Sequence, residues 1–234
     1  MEEVEIGVLV SGNGSNLQAI IDQIETGRLQ AKIKVVISDN PASYALKRAS
    51  EHHLPTEVIR RRDYCCREDF DRQLVAVLRA SDVELVILAG FMRVLSPFFL
   101  RSYPGRVMNI HPALLPAFPG LGAQQQAVAY GVKFSGCTVH FVEEGVDTGP
   151  IIIQAVVPVW DEDTAETLAA RILHEEHRIY AQAIQLYAEG RLEVKGRRVV
   201  IADGGQGGMS IVDNPDLGDM ATAGSRVNGE GRRT

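Results

Sequence analysis

No apolar run in this 234-residue chain approaches the roughly 20 residues that a membrane span needs. A signal peptide is not expected, because the first strand-like segment begins at Val4 and leaves no room for a charged region and an apolar core ahead of it. Basic excess is missing too. The 24 Lys and Arg stand against 30 Asp and Glu, a formal net charge of −6, so a wide basic face for nucleic acid is not expected. Cysteine is scarce, with only Cys65, Cys66 and Cys137. An odd count with an adjacent pair suits neither a disulfide framework nor a CxxC metal knuckle. It fits a reducing, cytoplasmic compartment, and all three read as structural or incidental. With no HxxxH pair and no CxxC, no metal is expected. The absence of a GxSxG elbow argues against a serine hydrolase.

What is present suffices for a real core: 45% hydrophobic and 23% charged residues, enough for one large α/β domain or two small ones. Val4–Val10 reads as a buried strand ending in a glycine-rich turn, followed from Asn16 by Leu17, Ile20, Ile21 and Ile24 at helical spacing, with Gly27 as a stop. Further strands are expected at Lys34–Ser38, Thr56–Ile59 and Glu84–Leu88, with helices from Ser43 to about His53 and around Phe70–Leu78. Strands alternating with helices argue for a mostly parallel twisted sheet covered on both faces. After Arg106 the pattern changes. A strand at Val107–Ile110 enters a proline-rich loop, His111–Gly120, and strands at Cys137–Val142 and Ile151–Val157 precede a helix from about Thr164 to Glu189. Antiparallel strands are therefore expected in the C-terminal half. One catalytic domain over 1–200 is expected, with a glycine-rich tail over 201–234 too poor in apolar residues to order itself.

Three segments carry chemistry. In Ser11–Leu17 (SGNGSNL) two glycines permit close backbone approach, and Ser15 or Asn16 is expected to cap the helix. A phosphate would sit on its N–H groups, although a ligand-free capped turn is an equal alternative. The segment lacks the Lys of a P-loop and the spacing of GxGxxG. Asn109 and His111 alternate onto one side at the carboxyl end of a buried strand, where ligands bind in open parallel sheets. An amide and an imidazolium there could hold an oxyanion forming on an acyl carbon; a His merely bonded to loop carbonyls is the plainer alternative. Asp147, before a Gly-Pro turn, would favour the imidazolium if it met His111, but it could equally be a turn former. Of the other histidines, His140 is expected within a strand and the rest in helical stretches.

SGNGSNLQAIID (Ser11–Asp22), LAGFMRVLSP (Leu88–Pro97), NIHPALLPAFPG (Asn109–Gly120) and VDTGPII (Val146–Ile152) occur together in an order that resembles the glycinamide ribonucleotide formyltransferases, from about Val4 to about Leu192. The resemblance implies a Rossmann-like formyltransferase fold. It implies transfer of the formyl group of 10-formyltetrahydrofolate, as co-substrate, to the amine of glycinamide ribonucleotide in de novo purine biosynthesis. It makes Asn109, His111 and Asp147 the catalytic trio. Gly14, Ser15 and Asn16 would bind the substrate phosphate and Glu176 the ribose hydroxyls. The folate pocket would comprise Met92, Arg93, Val94 and Leu95, Asn109, and Glu143, Glu144, Gly145, Val146 and Asp147, with Arg67 nearby. The partners implied are small molecules, with no nucleic acid and no membrane, and a homodimer is allowed. Gly122–Val128 (GAQQQAV) departs from the family pattern, in what is expected to be a loop over the site. The alternatives weighed are a formyltetrahydrofolate deformylase, which would need no phosphate cradle, a transfer-RNA-directed formyltransferase, and a binding module without catalysis.

Overall fold

The structure, a computed structural model, describes residues 3–202. Five strands form the parallel part of one sheet: β1 (Val4–Val10), β2 (Ala31–Ser38), β3 (Thr56–Val58), β4 (Leu85–Leu88) and β5 (Val107–His111). Four more extend it: β6 (Phe134–Phe141), β7 (Ile151–Pro158), β8 (Leu192–Lys195) and β9 (Arg198–Ile201). The spatial order is β3-β2-β1-β4-β5-β6-β7-β9-β8. β6 runs antiparallel to both β5 and β7. The sequence thus places the change from parallel to antiparallel correctly. It does not disclose the β8–β9 hairpin. That ribbon is charged and half-exposed, so its two-residue loop with Gly196 at φ 61 is the signal that remains. Ile201 and Ala202, expected in the tail, belong to this sheet edge, and the rest of the expected tail lies outside the described residues.

Each central strand feeds two cores. β1 sends Ile6, Val8 and Val10 to one side and Leu9 to the other, and β4 divides Leu85 and Ile87 from Val86 and Leu88 in the same way. The first face is covered by α1 (Ser15–Glu25), α2 (Tyr44–Glu51) and α6 (Ala165–Ala188). The second is covered by α3 (Arg67–Ala80) and α4 (Pro97–Ser102), through fully buried Phe70, Leu74 and Phe99. Burial of side chains of this size stabilises by about 1.5–3 kcal/mol each. α4 is announced by Ser96, whose hydroxyl accepts from Phe99 N–H, followed by Pro97 in the first turn. The expected loop over Gly122–Val128 is mostly a helix, α5 (Ala123–Tyr130), because an Ala- and Gln-rich run favours helix without an apolar stripe to reveal it. His53, expected in a helix, follows α2 with φ 55. Among the described residues no helix is long and apolar enough to cross a membrane.

Candidate active site

On β5, Met108 and Ile110 enter the first core, while Val107 enters the second. Asn109 and His111 therefore face the second side, where the strand ends and the core gives way to a cavity of about 620 Å³. The proline-rich loop that follows is pinned from below. Thr138 on β6 donates to Ala113 O at 2.7 Å and accepts from Leu115 N–H at 3.1 Å, and Gln154 on β7 donates to Leu115 O at 3.0 Å. These bonds fix where the loop turns back over His111. The loop then gives His111 its second partner: Nε2 lies 2.8 Å from Phe118 O.

The three residues singled out in the sequence meet. His111 Nδ1 is 3.2 Å from Asp147 Oδ2, and Asn109 Nδ2 donates to Asp147 Oδ1 at 3.4 Å. Burial pushes the Asp147 carboxyl up, but contact with the His140 ring, the Gly120 N–H at 2.8 Å and the nearby charge of His111 outweigh it. The carboxyl is held below the usual carboxylate range. Asp147 is thus an ionised acceptor. A carbonyl can only accept as well, so both ring nitrogens of His111 face acceptors.

Local backbone chemistry sets this geometry. Asp147 adopts φ 54, a left-handed conformation that Asp tolerates better than bulkier residues. Two residues on, a side chain at Gly149 would meet Phe141 O at 1.8 Å, so only glycine lets the turn close against β6.

His140 completes the group, although the sequence gives no reason to place it there. It pairs directly with Asn109 across β5 and β6 and is fully buried. Its Nδ1 donates to Phe141 O at 2.8 Å, and its Nε2 lies 3.2 Å from Asn109 Nδ2 and 3.6 Å from Asp147 Oδ1. The Asn109 amide nitrogen thus faces His140 Nε2 and, on a longer contact, donates to Asp147 Oδ1.

The glycine turn differs in detail from expectation. The N-cap of α1 is Gly14, at φ 74 and with no side chain to cap; Ser15 and Asn16 are the first helical residues. A Cβ at Gly14 would lie 2.5 Å from that of Ala45, so glycine is required twice over. No acidic residue in the first turn opposes the positive helix end. Asn16 donates to Glu176 Oε2 at 2.8 Å across 160 residues, while its own buried Oδ1 has no partner. Burial raises the Glu176 carboxyl above its ordinary range, against the hydrogen bond from Asn16. Arg48 supplies the cation that the motif lacks: Nε donates to Asn13 O and Nη2 to Asn13 Oδ1, both at 3.0 Å.

The cavity wall includes Met92, Arg93, Val94 and Leu95, and Glu143, Gly145, Val146 and Asp147. Glu144 and Arg67 do not line it; Arg67 is the exposed first residue of α3. Arg93 pairs with buried Asp39 at 2.6 Å, tying this wall to the end of β2. Ser11 joins the cradle to the cavity, donating through its N–H to Gly90 O and accepting at Oγ from Met92 N–H at 3.0 Å. Asp39 and Arg48 carry no sequence signal beyond a polar residue after a strand or in a helix.

A sequence profile described as formyl transferase matches residues 4–184. The chain belongs to the formyl transferase family. An Escherichia coli protein named phosphoribosylglycinamide formyltransferase is 42% identical over 191 residues, 82% of this chain and 90% of that protein. The solved structure of glycinamide ribonucleotide transformylase 1 from Symbiobacterium toebii matches with a TM-score of 0.85 at 53% identity, covering 86% of this chain and 95% of that one. A Drosophila melanogaster trifunctional purine biosynthetic protein adenosine-3 is 47% identical over 187 residues, 79% of this chain. The chain spans 14% of that relative's length. In this formyl transferase the matched region carries the cavity, the cradle and every residue of the proposed trio.

Proposed function

We propose that the chain transfers the formyl group of 10-formyltetrahydrofolate to the primary amine of glycinamide ribonucleotide, giving N-formylglycinamide ribonucleotide and tetrahydrofolate in purine biosynthesis. The observation that carries the reading is the ionised Asp147 within reach of both Asn109 and His111 at the rim of one cavity. A cradle with free helix N–H groups begins at Ser11, which is bonded to the same cavity wall.

In this mechanism the amine attacks the formyl carbon and the carbonyl oxygen gains negative charge. The Asn109 hydrogen on the long 3.4 Å contact to Asp147 is weakly held, and the formyl oxygen takes it over. The His111 imidazolium is the positive partner of that oxyanion. For Nε2–H to reach it, the Phe118 carbonyl must release the ring, so the loop shifts when substrates are bound. Asp147 holds the imidazolium and takes the proton leaving the amine, directly or through water, and the folate nitrogen is protonated as it departs. The phosphate of the acceptor lies on the N–H groups of Ser15 and Asn16 after Gly14, with Arg48 alongside. Its ribose hydroxyls donate to Glu176 and to the unpartnered Asn16 Oδ1. The three unpaired cysteines fit a reducing cytoplasm. The catalytic unit is assigned to the segment that ends with β9, and the partners are small molecules.

The test supplies purified protein with formyl-folate and an amine acceptor, with and without its phosphate. Tetrahydrofolate release that depends on the phosphorylated amine is expected. Equal release with water alone would make the chain a hydrolase and refute the transfer.

A further inference from the structure

The segment just before α3 lies away from the catalytic cavity and has no part in the reaction above. Cys65 and Cys66 are exposed, and Cys66 is the N-cap of α3, at φ −135 and ψ 170. Its sulfur accepts from Asp69 N–H at 3.4 Å. The Cys65 thiol donates to Asp69 Oδ2 at 2.7 Å. The sequence alone sets the adjacent cysteines aside because their spacing is not that of a metal knuckle. The first turn of α3 changes this by bringing a third ligand to them. One ligand atom from each of Cys65, Cys66 and Asp69 lies within 4.8 Å of the others.

We infer that Cys65, Cys66 and Asp69 form a binding site for one thiophilic divalent cation of the Zn²⁺ or Cd²⁺ type. The arrangement follows from the helix start. In a capping box the side chain at the third helical position reaches back over the N-cap. Here Asp69 occupies that position and its carboxylate reaches one residue further, to the Cys65 thiol. The cluster is thus held by capping geometry, independent of any metal. Zinc binds thiolate at about 2.3 Å and carboxylate at about 2.0–2.2 Å, so side-chain rotations that draw the three atoms about 1 Å closer suffice. On binding, each thiol gives its proton to solvent and forms a sulfur–metal bond, and no electron changes hands. Water fills the fourth position. Two soft sulfurs select Zn²⁺ or Cd²⁺ over Mg²⁺ and Ca²⁺. Occupancy would clamp the approach segment onto α3, where Phe70 is fully buried and Asp71 Oδ2 accepts from Ser96 N–H at 2.5 Å.

A thiol reagent should titrate two cysteines in the native protein, because Cys137 is fully buried and burial also pushes its thiol up. One equivalent of Cd²⁺ should protect both and produce the ultraviolet thiolate-to-cadmium band, while Mg²⁺ produces neither. Cys65→Ser and Cys66→Ser should each abolish band and protection, and Asp69→Asn should weaken binding. Far-ultraviolet circular dichroism and unchanged formyl transfer would show that the variants fold. Both thiols reacting freely under Cd²⁺, or a band that survives in folded Cys65→Ser, would overturn the site.

Discussion

His111 is held by a carbonyl on one side and a carboxylate on the other. Under the proposed mechanism, replacing it with Ala removes the positive partner of the oxyanion and leaves the cavity walls in place. The expected result is a loss in kcat on the order of 100-fold to 1000-fold, with formyl-folate binding nearly intact by equilibrium titration. Loss of binding in proportion to rate would assign His111 a structural role instead. Asp147→Asn keeps the shape but cannot hold the imidazolium. Its rate at neutral pH should fall, and the alkaline limb of its kcat profile should move to lower pH. An unchanged profile would separate the two residues. Glu176 presents the opposite electrostatics: burial raises its carboxyl, so the ionised form opposes folding. Glu176→Gln should therefore raise Tm at neutral pH. It should also raise KM for the acceptor while sparing that for formyl-folate, a separation that steady-state kinetics reads directly.

At the level of elements, the longest helix starts on a device that can be removed without touching the site. The Thr164 hydroxyl accepts from Thr167 N–H, and the Thr167 hydroxyl accepts from Thr164 N–H. Thr164→Ala should cost about 1 kcal/mol, visible as a Tm lower by roughly 2–4 °C with little change in turnover. Further along α6, the buried hydroxyl of Tyr180 donates towards Leu88 O at 3.0 Å and Met108 O at 3.1 Å, at the ends of β4 and β5. The helix that carries Glu176 is thereby registered against the strand that carries Asn109. α6 was legible because its apolar spacing, Leu168, Ile172, Ile179, is that of a helix facing a sheet. α5 and the β8–β9 hairpin were not, because neither shows a clear apolar periodicity.

For the molecule as a whole, the carboxylates divide by the sign of their shift. Asp147 is lowered, as is Asp163, chiefly through its hydrogen bonds from Arg171. Each contributes stability that is present above its unfolded pKa, about 4, and is lost as pH falls through the lower folded value. Asp71 and Glu176 are raised by burial, and each opposes folding increasingly as pH rises above its unfolded value. Asp163→Asn should therefore reduce the urea midpoint at pH 7 and flatten its decline in acid, whereas Glu176→Gln raises the midpoint at pH 7. A loss of similar size at pH 2 and pH 7 in Asp163→Asn would show that the lowered carboxyl is not what stabilises.

The amino-acid order by itself determined the first seven strands, most helices and the glycine turn, because strand and helix periodicity and turn chemistry are local properties, whereas the grouping of Asn109, His111 and Asp147 came from the resemblance. Which face of β5 meets the cavity, and that Asp147 reaches His111 from 36 positions away, depended on how β5, β6 and β7 pair. The same register put His140 opposite Asn109, and the packing of α6 on α1 brought Glu176 to Asn16. Such contacts form when distant segments bury a shared core. No local pattern encodes them, and the chemistry of this site resides in them.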